Sequence, residues 1–166
     1  SALDLGCGTG LCGPLLRPIV RRLQGVDLSQ PMLDRAAARG VYDELVHGDI
    51  VTHLRGAKPR HDLVAAADVF IYVGALEPVF AALRDVLASD GVLCFSAEAA
   101  SSEAVDFELL PSLRYAHSER YLRDLAARHG FDVVRLVRSP IRQDQREAIP
   151  GMYAYLARAE AGSLDS

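Results

Sequence analysis

Short apolar runs, each closed by glycine or an acidic residue, alternate along this chain with stretches whose hydrophobic positions recur every three to four residues. Leu3 and Leu5 lead into a glycine turn and predict a first strand. The apolar stretch Leu11 to Val20 carries Pro14, which a first helical turn tolerates, and Pro18, which ends or kinks a helix, so the first helix is short or broken. Leu23 to Asp27 predicts a second strand. Ser29 then offers an N-cap oxygen, Pro31 sits in the first turn, and Met32 to Arg39 continues a helix that Gly40 stops. Glu44 to His47 predicts a third strand ending at Gly48-Asp49, and Asp62 to Asp68 a fourth, apolar through its middle as a strand covered on both faces requires.

Ile71 to Gly74 reads as a loop. Val79, Leu83, Val86 and Leu87 recur at helical spacing, and Asp90-Gly91 closes that helix before a fifth strand, Val92 to Ser96. Ser118 caps a helix holding Tyr121, Leu122, Leu125 and Ala126, which Gly130 stops ahead of a sixth strand at Val133 to Val137. Met152 to Ala157 predicts a seventh. Repeated strand-then-helix units imply an α/β fold with a parallel sheet covered on both faces, and the last two strands, joined without a helix, are expected to be antiparallel.

Composition narrows the class. The 166 residues are half apolar and 24% charged, with no internal repeat or linker, so residues 1–166 read as one globular domain. No apolar run approaches the ~20 residues of a membrane span, and membrane association is not expected. The net charge of −4 gives no general attraction to phosphate backbones. The best local basic cluster, Arg135, Arg138, Arg142 and Arg146, reads as the solvated side of a strand and its loop, so a small molecule or a protein, not nucleic acid, is the expected partner. Cys7, Cys12 and Cys94 are odd in number and lack metal-ligand spacing, which suggests buried thiols in a reducing, cytoplasmic compartment. His47, His53, His61 and His129 are scattered and suggest no metal site. The chain opens directly on a strand without an initiator Met, and a preceding helical or repeat-containing segment is expected.

In a doubly wound sheet, ligands bind beyond the carboxyl ends of the strands, and the unusual residues of this sequence collect there. Gly6, Gly8 and Gly10 let the backbone turn sharply and approach a ligand closely. Asp4 lies near the first strand's end, placed to hold a cationic amino group directly or through water. Asp27 ends the second strand about 20 residues after the turn, where a carboxylate accepts from both hydroxyls of a ribose. Leu28 and Met32 supply apolar surface near an adenine, and Asp49, ending the third strand, can accept from its exocyclic amine while Ile50 packs on the ring. Each has an ordinary reading: Asp27 as a helix cap, Asp49 as a turn residue, the glycines as a turn only. Their coincidence at successive strand ends points to a cofactor.

The stretch Leu3-Asp4-Leu5-Gly6-Cys7-Gly8-Thr9-Gly10 resembles the first motif of class I S-adenosylmethionine-dependent methyltransferases. Gly25-Val26-Asp27-Leu28-Ser29 is similar to that family's second motif, Gly48-Asp49 to its adenine-side acid, Asp62 to Asp68 to its fourth strand, and Leu87 to Leu93 to the entry of its fifth. The resemblance covers nearly the whole chain. It implies a Rossmann-like, doubly wound, seven-stranded sheet in the order 3-2-1-4-5-7-6, mostly parallel with an antiparallel last strand. It also implies S-adenosylmethionine as cofactor, with S-adenosylhomocysteine as product, held by the residues named above together with Cys7, Thr9 and Asp68. Segments 10–16, 40–45, 67–74 and 114–118 look like the bacterial group often fused to tetratricopeptide repeats, which would place such repeats before residue 1. Ala75 departs from that group, where an aspartate is expected.

On this resemblance, the acceptor side draws on Asp68 and Tyr72 after the fourth strand, Glu98 after the fifth, and Tyr115 with His117 before the Ser118 helix. Asp68, Tyr72 and His117 are the catalytic candidates, His117 because its intrinsic pKa suits a base near neutrality. The Leu109-Leu110-Pro111 stretch is placed as a lid or as a packed surface loop. Two other readings stay open. Gly8-Thr9-Gly10-Leu11-Cys12-Gly13 also satisfies the fingerprint of an NAD-dependent oxidoreductase, and a methyltransferase-like module can bind without catalysis.

Overall fold

A computed structural model of the chain describes residues 1–56, 61–144 and 146–159. Its main sheet takes strands from both ends of the chain. β1 (Ala2–Leu5), β2 (Leu23–Asp27), β3 (Glu44–His47), β4 (His61–Ala66), β5 (Leu87–Ala99), β8 (Phe131–Arg138) and β11 (Gly151–Arg158) lie in the order β3-β2-β1-β4-β5-β11-β8. The expected order is therefore present. β11 is antiparallel to both its neighbours, β5 and β8, whereas β1 to β5 pair in parallel.

Every residue of β1 is buried, as befits a strand with helices on both faces. Those helices are α1 (Gly13–Leu16), extended by a 3-10 turn at Arg17–Ile19, then α2 (Gln30–Ala37), α3 (Ile50–Gly56), α4 (Glu77–Val86) and α5 (Glu119–Arg128). Pro18 falls inside the 3-10 turn and cuts α1 to a single turn. The core is aromatic on the α4 side of the sheet: Phe95 of β5 stands 5.2 Å from Phe70 and 5.8 Å from Phe80, and Phe80 meets Phe131 of β8 edge-on at 6.0 Å. Ser118 caps α5, its Oγ accepting from Tyr121 N at 3.2 Å.

Several elements depart from the expectation. α3 stands where only a turn was read; it opens on β-branched Ile50, Val51 and Thr52, which carry no helical periodicity, and Asp49 Oδ1 supplies its cap by accepting from Thr52 N at 2.8 Å. Ser29 precedes α2 but makes no side-chain cap. The turn at Asp90-Gly91 lies within β5 and does not precede it: Leu87 pairs with His61 and Val92 with Leu63, so residues 88–91 bulge outward between them. Ile71 falls in a 3-10 turn, Phe70–Tyr72.

Two hairpins were not anticipated, because strands of three residues are too short to show alternation. β6 (Phe107–Leu109) pairs with β7 (Tyr115–His117), which extends the carboxyl end of β5 through Glu98↔Ala116 and Ala99↔His117. The Leu109-Leu110-Pro111 stretch runs from the end of β6 into the turn of this hairpin. β9 (Arg142–Asp144) pairs with β10 (Glu147–Ile149) just before β11. Among the described residues no helix is long and apolar enough to cross a membrane, and no cluster of His, Cys, Asp or Glu could hold a metal. Of the arginines expected on the solvated side of a strand and its loop, Arg138 is exposed and pairs with Glu103 and Glu119, whereas Arg142 turns inward to Asp68 and Glu98.

Candidate functional site

The strand order β3-β2-β1-β4 sets four carboxyl ends in a row, and a cavity of about 600 Å³ runs along them. That size lies within the range of small-molecule and cofactor sites. Asp49 and Ile50, after β3, line one end; Asp27, Leu28 and Met32, from β2 and α2, follow; the loop after β1 forms the floor; and Asp68 with Tyr72, after β4, lines the other end.

Left-handed glycines alternate with ordinary residues along the loop after β1. Gly6, Gly8 and Gly10 have φ of +61°, +54° and +77°, a region that favours glycine. Their side-chain spaces differ. A Cβ on Gly6 would lie 2.3 Å from Val69 Cγ2, and one on Gly10 would lie 2.9 Å from the Tyr42 ring. Gly8 is open to the cavity, with Met32 Sδ 3.7 Å from the same point as its nearest neighbour. Gly6 and Gly10 thus allow close packing, and Gly8 leaves its side-chain space open to the cavity. Gly10 itself does not line the cavity, whereas Asp4, Gly6, Cys7, Gly8 and Thr9 do.

Asp27 is oriented by backbone amides. Its Oδ2 accepts from Gly8 N and its Oδ1 from Ser29 N, both at 2.8 Å, so the carboxylate joins the glycine loop to the entry of α2. Each oxygen keeps acceptor capacity toward the cavity. Asp49 Oδ1 accepts from the backbone and hydroxyl of Thr52, and these bonds hold its carboxyl below the usual range. Asp49 therefore caps α3 and lines the cavity at once.

Asp4 is 1% exposed and accepts from the Tyr42 hydroxyl at 2.7 Å. Burial pushes its carboxyl up to about 6 against the pull of that hydrogen bond, and the Asp27 charge adds to the rise. Burial, reinforced by the Asp4 and Asp27 charges, also pushes the Cys7 thiol up to about 12; Cys12 moves the same way. Both sulfurs are neutral thiols at physiological pH and act as apolar lining.

Asp68 adopts φ +55°, unusual for a residue with a side chain. Its N–H donates to Ser96 Oγ at 2.8 Å, and its Oδ1 accepts from Arg142 Nη1 at 3.0 Å. Tyr72 is 68% exposed at the cavity's edge. His117 is elsewhere: it is fully buried beneath the β6–β7 hairpin, stacked on Tyr121, with Nε2 donating to the carbonyls of Val73 at 3.0 Å and Gly74 at 2.9 Å. Burial lowers its pKa. It supports the loop behind Tyr72 and does not reach the cavity, because β7 carries it into the sheet. Tyr115 packs against Phe107 in the same hairpin, and Glu98 is buried against Arg142.

Leu11, Cys12, Ser29, Ala67, Val69 and Val73 also line the cavity and are not among the residues the sequence assigns to the cofactor. Tyr42, inside segment 40–45, carries no local signal of a role at the site. Its ring fills the space that side chains at Gly10, Gly13 and Gly25 would take.

A family model described as a methyltransferase domain matches residues 3–95, which carry every residue of this cavity. No curated protein matches the sequence. Solved structures match its fold. An S-adenosylmethionine-dependent methyltransferase from Mesorhizobium loti is 18% identical with a TM-score of 0.74, over 95% of this chain and 90% of that one. One from Clostridium acetobutylicum is 17% identical with a TM-score of 0.73, over 96% and 84%. Magnesium protoporphyrin IX methyltransferase from Synechocystis, with bound S-adenosylmethionine, is 18% identical with a TM-score of 0.71, over 95% and 69%.

Proposed function

Because the chain belongs to the methyltransferase domain family, we propose that its cavity binds S-adenosylmethionine and that it transfers a methyl group to a small-molecule or protein acceptor, leaving S-adenosylhomocysteine. Family membership favours this over a nicotinamide-dependent oxidation. Within the family, segments 10–16, 40–45, 67–74 and 114–118 favour the bacterial group often fused to tetratricopeptide repeats.

The observation that carries the reading is Asp27, fixed by Gly8 N and Ser29 N beside an open glycine floor. A carboxylate held this way accepts from two adjacent ribose hydroxyls without reorganising. Leu28, Met32 and Ile50 give the apolar walls an adenine needs, with Asp49 to accept from its amine. Asp4 offers a buried carboxylate for a cationic amino group. When bound, the cofactor supplies a methyl already activated on a sulfonium. The protein's work is then to orient the acceptor and exclude water. Tyr72 and Asp68 take the acceptor side, Tyr72 to orient and Asp68 to accept a hydrogen bond, while His117 holds the Val73–Gly74 backbone beneath them.

Asp27→Ala tests the reading by calorimetry with S-adenosylmethionine and S-adenosylhomocysteine. Losing charge-assisted ribose hydrogen bonds is expected to weaken both by about 1.5–3 kcal/mol. Unchanged affinity in a folded variant would remove Asp27 from the site.

A further inference from the structure

The arginine read as part of a solvated patch is not solvated. Arg142 is 17% exposed, and its guanidinium joins two carboxylates that are distant in sequence: Nη1 donates to Asp68 Oδ1 at 3.0 Å, and Nη2 donates to Glu98 Oε2. Glu98 is 7% exposed, whereas Asp68 is half exposed and lines the cavity. The charge presented to the cavity is therefore that of Asp68.

The fold brings Arg142 there by a close backbone approach. Gly151, which pairs with Glu98 across β5 and β11, would with a Cβ meet Ile141 Cγ2 at 2.4 Å, so the missing side chain lets Ile141 and hence Arg142 lie against the end of the sheet. Ser96 and Glu98 share one face of β5, two residues apart. From that face Ser96 takes the Asp68 N–H while Glu98 takes Arg142, and both converge on one left-handed residue.

The row of strand ends gives this point a meaning. With the ribose at Asp27 and the adenine toward Asp49, the order β3-β2-β1-β4 leaves the β4 end, and Asp68, for the sulfur of the cofactor. Resting on that reading, we propose that Arg142 is a positioning residue: bridging Asp68 to Glu98, it fixes the Asp68 carboxylate at the cavity wall and makes the site prefer the cationic sulfonium of S-adenosylmethionine over the neutral sulfur of S-adenosylhomocysteine. The bridge carries one positive and two negative charges, so one negative charge is left to face the sulfur. No contact between Arg142 and the cofactor is required.

The test is the ratio of the two dissociation constants, measured by calorimetry on the same protein. Removing Arg142 alone would strand the buried Glu98, so the informative variant is Arg142→Met with Glu98→Gln, which removes one charge of each sign and leaves the net charge unchanged. This pair is expected to lower the preference for S-adenosylmethionine about five-fold, the scale of a half-exposed ionic interaction, with S-adenosylhomocysteine affinity held within about two-fold. Asp68→Asn is expected to lower the preference equally, and the triple variant no further. Arg142→Lys keeps the charge but cannot span both carboxylates; a fall of two-fold or more supports the proposal even if the pair does not fold. An unchanged ratio in Arg142→Lys and in the pair, or a further fall in the triple variant, overturns it while leaving the cofactor reading intact. Wild-type protein that binds neither compound overturns both.

Discussion

Asp4→Asn is expected to stabilise the ligand-free protein at pH 8 while weakening its hold on S-adenosylmethionine. Asp4 is 1% exposed, and burial raises its carboxyl from near 3.8 to about 6. A carboxyl raised in the folded state binds a proton more tightly there than in the unfolded chain. Stability therefore falls as pH rises between about 4 and 6, and the full cost is present above 6. At about 1.36 kcal/mol per pH unit that cost is about 3 kcal/mol. Asparagine avoids it and still accepts from the Tyr42 hydroxyl, but its amide N–H adds a donor to a buried site, a loss of about 1 kcal/mol. The net gain is about 2 kcal/mol at pH 8, or about 4–8 °C in Tm for a domain of this size. The gain shrinks as wild-type Asp4 takes up its proton and vanishes near pH 4.5, by about the same linkage. Urea unfolding of both proteins from pH 4.5 to 8 measures it. A variant less stable than wild type at pH 8, or a difference that does not change with pH, would refute the assignment of a buried, ionised Asp4.

Gly6→Ala is expected to cost about 2–3 kcal/mol, because its Cβ would meet Val69 Cγ2 at 2.3 Å in a backbone conformation of φ +61°. Adding Val69→Ala should recover the steric part and leave the backbone part, as denaturation midpoints would show. His117→Gln keeps an N–H for the Val73 and Gly74 carbonyls but does not titrate. Burial depresses the His117 pKa, so its contribution is present above 6.5 and lost as pH falls toward the folded value. The variant should lose less stability than wild type between pH 7 and 5.5; parallel curves would exclude the effect.

How far the sequence discloses this molecule depends on the distance over which each feature is decided. β2 and β3 lie where alternation and closing residues place them, and the Ser118 cap is visible because an N-cap is a local event. The cavity-lining acids Asp27 and Asp49 are legible for the same reason: each sits at the end of a strand whose limits are local. α3 is not, since seven residues opening on a β-branched run carry no period, and Asp49, read as a ligand contact, also serves as its cap. The two hairpins are too short to read. Tyr42 is partnered across 38 positions and Arg142 across 74 and 44, and nothing near either residue announces the partner.

That division has a chemical counterpart. The Asp27–Asp49 end of the cavity, proposed above for ribose and adenine, is built from consecutive strand ends and a glycine loop, all within the first fifty residues. The other end is assembled from the β4 loop, the face of β5 and two late hairpins, with Arg142 and His117 reaching back to fix Asp68 and the Val73–Gly74 backbone. The two ends meet where Val69 packs on Gly6, but Asp27 takes its hydrogen bonds from Gly8 and Ser29, so substitutions in the hairpins are expected to reshape the Asp68 end without disturbing Asp27. Their carboxylates differ accordingly. Asp4 is buried at an electrostatic cost that a ligand's cationic amino group would offset, whereas Asp68 is half exposed and already held by an arginine. A ligand with one positive charge at each place suits both, and S-adenosylmethionine carries its ammonium and its sulfonium in the same methionine chain.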